Sequence, residues 1–320
     1  MKKIILVTGD PNSINSELIF KSWKKINNSI KNKIYLIGNY NLILSQFKRL
    51  KYSIKICKVK NIYEKGKPNK LKIINIDLQF KKPFKVLDME AAKYIKKSLT
   101  YAHKLAIENI DSGIINCAIN KKLLNRNNIG VTEFLARKCE VRNNSEVMLI
   151  TNEKLSVSPI TTHINIKQVA SRIKGVSIIN KVKTIDSWFK KKFGRKPKIG
   201  MLGLNPHNAE YKKKSEEIKT IIPTILKLRK LGIYIKGPLV SDTVFINDYK
   251  TFDVIIGMFH DQVLTPFKTI FKFDAINITL GLKYLRVSPD HGTARDIIGK
   301  RKANPQSLID CINFINKYGK

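Results

Sequence analysis

The chain has 320 residues, 43% of them hydrophobic, which is enough for one large α/β core or for two smaller lobes. No apolar run reaches the ~18 residues that a membrane span requires, so we expect no membrane partner. The apolar run after Met1 is too short for a secretory signal, so we expect a cytoplasmic protein. The formal net charge is +37, but only ten of the 61 basic residues are arginine and the lysines are spread over the whole length, so we expect no specific nucleic-acid site.

Short apolar strings alternate with amphipathic ones along the chain, and this alternation predicts an α/β sandwich. The predicted strands cover residues 3–8, 33–38, 113–117, 147–151, 198–203, 253–258 and 275–279. The predicted helices cover residues 16–25, 90–109, 132–139, 216–231 and 305–317. We place a first α/β lobe at residues 1–125 with 296–320, and a second lobe at residues 126–295.

Three of the five histidines, His163, His207 and His260, stand where an apolar string gives way to polar residues. Strand ends of this kind carry the chemistry of many α/β proteins. Neutral imidazole is the commonest ligand of divalent transition metals, and three ligands with one open position are typical of catalytic zinc. A single histidine in such a string is more often structural, so the metal hypothesis depends on the three together.

Lys268 follows the last of these histidines by eight residues, Asn277 lies on the next predicted strand, and Arg286 comes after a turn at Gly281. Such residues can converge on a phosphate or carboxylate, with arginine binding it through two nitrogens. The alternative is that Lys268 and Arg286 are exposed cations in a lysine-rich chain. No Gly-x-Gly-x-x-Gly string follows the first predicted strand, so the usual dinucleotide-binding loop is absent there.

Several longer strings occur together and in a fixed order. They are Gly203-Leu204-Asn205-Pro206-His207, Phe259-His260-Asp261-Gln262, Asn277-Ile278-Thr279-Leu280-Gly281-Leu282 and Asp290-His291-Gly292-Thr293-Ala294. With them the chain resembles the PdxA family of 4-hydroxythreonine-4-phosphate dehydrogenases, which act in vitamin B6 synthesis. The resemblance extends from about Thr8 to Asn304.

The resemblance implies a two-lobed α/β/α sandwich of the isocitrate/isopropylmalate dehydrogenase type. It also implies a homodimer whose active site lies at the subunit interface, with the metal histidines and the dimer interface on the second lobe. His163, His207 and His260 would bind one divalent metal, with one ligand coming from the partner subunit. Zinc is the first expectation, and magnesium or cobalt are the alternatives.

The remaining site residues are also implied by position in the family strings. Substrate contacts fall on Thr132, Lys268, Asn277 and Arg286. Cofactor contacts, to NAD or alternatively to NADP, fall on His291, Gly292, Asp296 and Asn304. Asp242 falls on a further site position. Asp242, Lys268 and a metal-bound water are all candidates for the group that takes the proton of the substrate alcohol.

The reaction that the resemblance implies is NAD-dependent oxidation of 4-phosphohydroxy-L-threonine at its secondary alcohol, followed by decarboxylation to 3-amino-2-oxopropyl phosphate. One departure bears on the substrate, because Val131 stands where the family usually has a histidine. A sister dehydrogenase for 4-phosphothreonate or 4-phosphoerythronate is therefore an alternative. A non-catalytic basic protein that binds nucleic acid is a more remote one. The glycine-rich stretch after the second metal histidine is here Asn208-Ala209-Glu210-Tyr211-Lys212.

Overall fold

The computed structural model describes residues 2–67, 69–109, 112–124, 130–141, 145–272 and 274–319. The chain forms two compact units, which we call unit 1 (Met1–Glu140 with Leu282–Lys320) and unit 2 (Val141–Gly281). The predicted lobe boundaries differ from these, and the first of them, 125/126, lies outside the described residues. As a result Thr132, Arg286, His291 and Gly292, which the prediction placed in the second lobe, belong to unit 1.

The described strands number twelve, and each is three to six residues long. They are β1 (Lys3–Val7), β2 (Ile34–Gly38), β3 (Ile56–Lys58), β4 (Leu71–Asn75), β5 (Ser112–Asn116), β6 (Val147–Thr151), β7 (Ser156–Thr161), β8 (Ile199–Leu202), β9 (Ile235–Leu239), β10 (Val254–Phe259), β11 (Ile276–Leu280) and β12 (Leu285–Pro289).

The α-helices in the described ranges vary from four to 21 residues. They are α1 (Asn15–Lys25), α2 (Asn28–Lys31), α3 (Tyr40–Arg49), α4 (Asp88–Glu108), α5 (Val131–Lys138), α6 (Val169–Arg172), α7 (Gly175–Phe193), α8 (Ile222–Lys230), α9 (Ser241–Val244), α10 (His260–Phe271) and α11 (Gln306–Tyr318). A π-helical turn, Glu217–Ile221, leads directly into α8.

The sheet of unit 1 has the strand order β3-β4-β2-β1-β5-β12, and every neighbouring pair is parallel. All five residues of β2 and β5 are buried, which explains why neither strand alternates apolar with charged residues. Helices α4 and α11 both contact β1 and β5. The carboxyl ends of β1, β5 and β12 therefore lie side by side at one edge of this sheet.

The sheet of unit 2 has the order β11-β6-β7-β10-β8-β9. The pairs β11–β6 and β6–β7 are antiparallel, whereas β7–β10, β10–β8 and β8–β9 are parallel. Helix α10 covers β7 and β10, and its buried Val263, Leu264 and Phe267 join an apolar cluster with Ile255 of β10. Consequently β7, β10, β8 and β9 present four neighbouring carboxyl ends at one edge of this sheet.

The α/β class predicted from the sequence is confirmed, and all seven predicted strands and five predicted helices are present. Their ends differ from the prediction by at most two residues except at the start of α8, where the π-helical turn Glu217–Ile221 occupies the first part of the predicted helix 216–231. Not predicted from the sequence were the strands β3, β4, β7, β9 and β12, the helices α3, α7 and α10, and the four-residue helices α2, α6 and α9. Among the described residues, no helix combines the length and the apolar character needed to cross a membrane.

Candidate active site

The three motif histidines and Asp242 all follow parallel strands of unit 2. His163 comes two residues after the end of β7, His207 five residues after β8, and His260 directly after β10 as the first residue of α10. Asp242 lies in α9, three residues after the end of β9. Because β7, β10, β8 and β9 are neighbours, these four side chains are carried by adjacent loops at the same edge of the sheet.

Two of the histidines lie against each other. The ring centroids of His163 and His260 are 5.5 Å apart. Two imidazoles bound to one zinc ion at ~2.0–2.1 Å have ring centres on the order of 5 Å apart, so this spacing fits a shared metal. His260 Nδ1 lies 2.6 Å from a carboxylate oxygen of Asp261, which leaves Nε2 for a ligand. The donor set of these residues therefore suits a divalent metal.

His207 lies beside an acidic side chain. Its Nε2 is 3.5 Å from Oδ2 of Asp242, and both side chains are more than half exposed. Within the described ranges of a single chain, no three His, Cys, Asp or Glu side chains come close enough to hold a metal ion. The three-histidine site therefore stays a prediction, and the resemblance itself assigns one of the ligands to the partner subunit.

The backbone around His207 has an unusual conformation. Five consecutive residues without a glycine, His207 to Tyr211, have φ between 47° and 57°, which is the left-handed helical region. Asn208 is buried within this turn and donates a hydrogen bond to the Pro238 carbonyl at 3.2 Å. Left-handed backbone costs an L-residue about 1–2 kcal/mol, so we expect the turn to store strain directly at a predicted metal ligand.

A buried carboxylate fixes the segment that precedes this turn. Glu217 is fully buried, and its Oε1 accepts hydrogen bonds from the backbone amides of Leu204 and Asn205, both at 2.8 Å. Burial alone would raise the pKa of Glu217, but the hydrogen bonds from Asn205 and Leu204 outweigh burial and hold it below its usual value. Glu217 is thus an ionised anchor for the loop that carries His207.

Two predicted substrate residues also lie in unit 2. Lys268 is half-buried on α10, about two helical turns beyond His260. Asn277 is the second residue of β11, and its buried Oδ1 accepts no hydrogen bond from the described residues. A buried polar atom of this kind usually has a partner, so the Asn277 amide is available to a ligand.

The other two predicted substrate residues meet in unit 1. Arg286 of β12 is only 3% exposed. Its Nε donates to Asn116 Oδ1 at 2.7 Å, and its guanidinium also donates to Thr132 Oγ1 at 3.4 Å. Burial lowers the pKa of Arg286 to about 10, so the side chain remains charged at neutral pH. Asn116, at the end of β5, was not predicted as a site residue.

The predicted cofactor segment is fixed to the loop after β1. Thr293 O accepts a hydrogen bond from the Ile14 amide at 3.2 Å, and Arg295 lies 3.4 Å from the buried carboxylate of Asp10. Gly292, Asp296 and Asn304 are exposed, and Asn304 Oδ1 accepts a hydrogen bond from the Gln306 amide at 3.0 Å, just before α11. His291 Nδ1 is 2.8 Å from the Gly292 carbonyl. The four predicted cofactor residues thus lie on one segment at the carboxyl edge of the unit 1 sheet.

Comparison with known proteins covers nearly the whole chain. The family model "Pyridoxal phosphate biosynthetic protein PdxA" matches residues 30–315. The chain is 37% identical to the 4-hydroxythreonine-4-phosphate dehydrogenase of Sulfurihydrogenibium sp. over 98% of its own length and 97% of that protein. It belongs to the PdxA family.

Solved structures support the assignment of the chain to this family. The crystal structure of 4-hydroxythreonine-4-phosphate dehydrogenase from Klebsiella pneumoniae superimposes with a TM-score of 0.84 at 28% identity, and all of both chains is covered. The isocitrate dehydrogenase of Methylococcus capsulatus superimposes with a TM-score of 0.51 at 12% identity over 98% of this chain and 85% of that one, which is a likeness of fold alone. The predicted fold type is therefore confirmed.

Two segments near the predicted site have a tightly constrained backbone. In the left-handed turn, Ala209 and Tyr211 stand in the stretch that is usually rich in glycine. In the loop after β1, the side-chain amide of Asn15 donates to the carbonyls of Thr8 and Ala118 at 3.0 and 2.8 Å.

Proposed function

We propose that the protein is a 4-hydroxythreonine-4-phosphate dehydrogenase. It would oxidise the secondary alcohol of 4-phosphohydroxy-L-threonine with NAD, assisted by a divalent metal, and release 3-amino-2-oxopropyl phosphate after loss of carbon dioxide. The observation that carries the proposal is the arrangement of His163, His207, His260 and Asp242 on four adjacent strand ends of unit 2 in a member of the PdxA family.

His163, His207 and His260 would hold the metal. When bound, a divalent ion would lower the pKa of the alcohol and polarise the ketone that forms from it. Asp261 would orient His260 through Nδ1, as carboxylates next to metal-binding histidines commonly do. Asp242 and Lys268 are the protein groups proposed to take the alcohol proton, and the exposed carboxylate of Asp242 beside His207 supports the first of them.

Arg286 would bind an anionic group of the substrate, and Thr132 and Asn277 would add hydrogen bonds. The Arg286 guanidinium is held in place by Asn116, so little side-chain entropy remains to be lost when an anion binds. NAD, or NADP in its place, would accept the hydride and would lie along His291, Gly292, Asp296 and Asn304. The protein's part in that step is to align the two reacting carbons.

We further propose a homodimer with the active site at its interface. Four large apolar side chains are exposed on the loops that carry His163, His207 and Asp242: Ile164, Ile166, Tyr211 and Ile246. Exposed apolar groups concentrated around polar site residues are typical of a surface that another chain covers. A second copy would cover these side chains and complete the metal site.

The test is NAD reduction by the purified protein with 4-phosphohydroxy-L-threonine, 4-phosphothreonate or 4-phosphoerythronate, each with and without a chelator. We expect turnover with the first substrate and its loss on chelation. His207→Ala should abolish this turnover and weaken metal retention. Near-normal, chelator-sensitive activity of that variant would contradict the assignment of His207.

The sister-dehydrogenase alternative is favoured by one observation. Val131 is the first residue of α5, directly before Thr132, and it can neither donate nor accept a hydrogen bond through its side chain. A substrate that lacks the group normally bound at that position would then be preferred. Faster turnover of either phospho-sugar acid than of 4-phosphohydroxy-L-threonine would identify this case.

A further inference from the structure

One side chain of unit 2 connects three of the strand ends that carry the site. Gln262, in the first turn of α10, accepts a hydrogen bond from the backbone amide of Met258 in β10 at 2.6 Å. Its amide nitrogen donates to the carbonyl of Gly203 at 2.7 Å and to the hydroxyl of Ser241 at 2.8 Å. Gly203 follows β8, and Ser241 follows β9.

Each of these partners stands close to a predicted site residue. Met258 is two residues before His260, Gly203 is four residues before His207, and Ser241 is next to Asp242. The remaining strand, β7, is connected to β10 by a separate hydrogen bond. Thr161 at the end of β7 donates to the Met258 carbonyl at 2.7 Å. The Gln262 contacts therefore link the loops of His207, Asp242 and His260 directly.

The sequence makes room for this arrangement. A Cβ atom on Gly257 would lie 2.6 Å from Cγ1 of Val263 and 2.9 Å from Oε1 of Gln262, so a glycine at that position leaves space for both side chains. A primary amide suits the position because it has an acceptor at one end and two donor hydrogens at the other. A carboxylate could replace the acceptor but could not donate to the Gly203 carbonyl.

We propose that Gln262 is a positioning residue that fixes the loops of His207, Asp242 and His260 relative to one another, and so sets the geometry of the metal site. The inference rests on the proposed metal-dependent function. Gln262 itself need not touch the metal or the substrate. Its three hydrogen bonds act through the backbone that carries the ligands, as supporting groups around metal sites commonly do.

The experiment is a Co²⁺ titration of the full-length, metal-free protein, followed by the visible spectrum of the bound ion. We compare wild type with Gln262→Met, which keeps the size of the side chain, and with Gln262→Glu, which keeps only the acceptor. Both variants should bind Co²⁺ on the order of tenfold more weakly and with an altered spectrum. Ser241→Ala, which removes one of the three bonds, should have a smaller effect of the same kind.

Thr224→Val is the matched control. Thr224 is buried in α8 of the same unit, and its hydroxyl donates to the Thr220 carbonyl at 2.6 Å. The substitution removes a buried hydrogen bond within one helical segment of unit 2 that joins none of the loops of the site, so it should lower thermal stability without changing the Co²⁺ affinity or spectrum. Equal weakening of Co²⁺ binding by Thr224→Val and Gln262→Met would mean that Gln262 acts only through general stability.

Failure of the inference can be distinguished from failure of the proposed function. If wild type and Gln262→Met bind Co²⁺ with the same affinity and spectrum, the positioning role is wrong and the metal site stands. If wild type binds no Co²⁺, the metal-dependent function is wrong and the inference falls with it. Should Gln262→Met not fold, the same titration of Ser241→Ala decides, and wild-type binding by that variant overturns the inference.

Discussion

The left-handed turn after β8 predicts that one substitution with glycine will stabilise the protein. Ala209 has φ of 52° and ψ of 27° and is half-buried, so its Cβ crowds the backbone without filling the core. Glycine adopts this conformation without steric cost. Ala209→Gly should therefore relieve strain in the segment that carries His207.

The expected size follows from two opposing contributions. Left-handed backbone costs an alanine about 1–2 kcal/mol. Glycine loses about 0.5–1 kcal/mol more chain entropy on folding than alanine does. The net stabilisation should be about 0.5–1 kcal/mol, which raises the melting temperature by about 1–4 °C in a chain of this size.

The measurement is the thermal unfolding of wild type, Ala209→Gly and the control Ala92→Gly by calorimetry. Ala92 is also half-buried, but it lies in the right-handed helix α4, where the same substitution should cost about 1 kcal/mol. The two variants should therefore shift the melting temperature in opposite directions. If Ala209→Gly lowers it as much as Ala92→Gly does, the backbone at Ala209 is not left-handed in solution.

Four further outcomes are expected. Arg286→Gln should lower kcat/KM by roughly a hundredfold or more, because a buried charge-assisted contact to the substrate is lost; an unchanged kcat/KM would exclude that contact. Val131→His should preserve or raise kcat/KM for 4-phosphohydroxy-L-threonine, whereas a fall would favour a sister substrate. Glu217→Gln should lower the free energy of unfolding by about 1–2 kcal/mol at neutral pH, and by less as the pH falls through the lowered pKa of Glu217, because wild type loses the same contribution when the carboxylate is protonated. A loss of unfolding free energy that does not change with pH would contradict this. Light scattering should show a dimer, and a fully active monomer would refute the shared site.

Strand patterns in the sequence predict part of the fold and miss the strands whose composition conceals them. In β4, Lys72 interrupts the apolar run although the residue is only 3% exposed. Its ammonium donates to the Asn32 carbonyl at 2.6 Å and lies 3.8 Å from the centre of the Tyr35 ring. In β7, all six residues are buried, but two serines and a proline make the string look like a turn. Both strands depend on tertiary partners that local patterns do not contain.

Those residues of the candidate site that follow an apolar string could be predicted from the sequence. His163, His207 and His260 could be found in this way, and the structure carries them on adjacent strand ends. Gln262 was not singled out, because two of its three partners, Gly203 and Ser241, lie 59 and 21 residues away along the chain. Glu217 was missed for a similar reason, since its role is to bind backbone amides of a loop more than ten residues before it.

The division of unit 1 into two stretches has a consequence for synthesis on the ribosome. β12 pairs with β5, and α11 packs on both, but β12 and α11 belong to Leu282–Lys320 whereas β5 belongs to Met1–Glu140. Unit 2 is continuous, so it can fold while β5 still lacks its second neighbour. Until residues 282–320 emerge, the edge of β5 that later pairs with β12 carries unpaired backbone N–H and C=O groups, to which other nascent chains can pair. Unit 1 is therefore the part of the molecule that we expect to depend on chaperones.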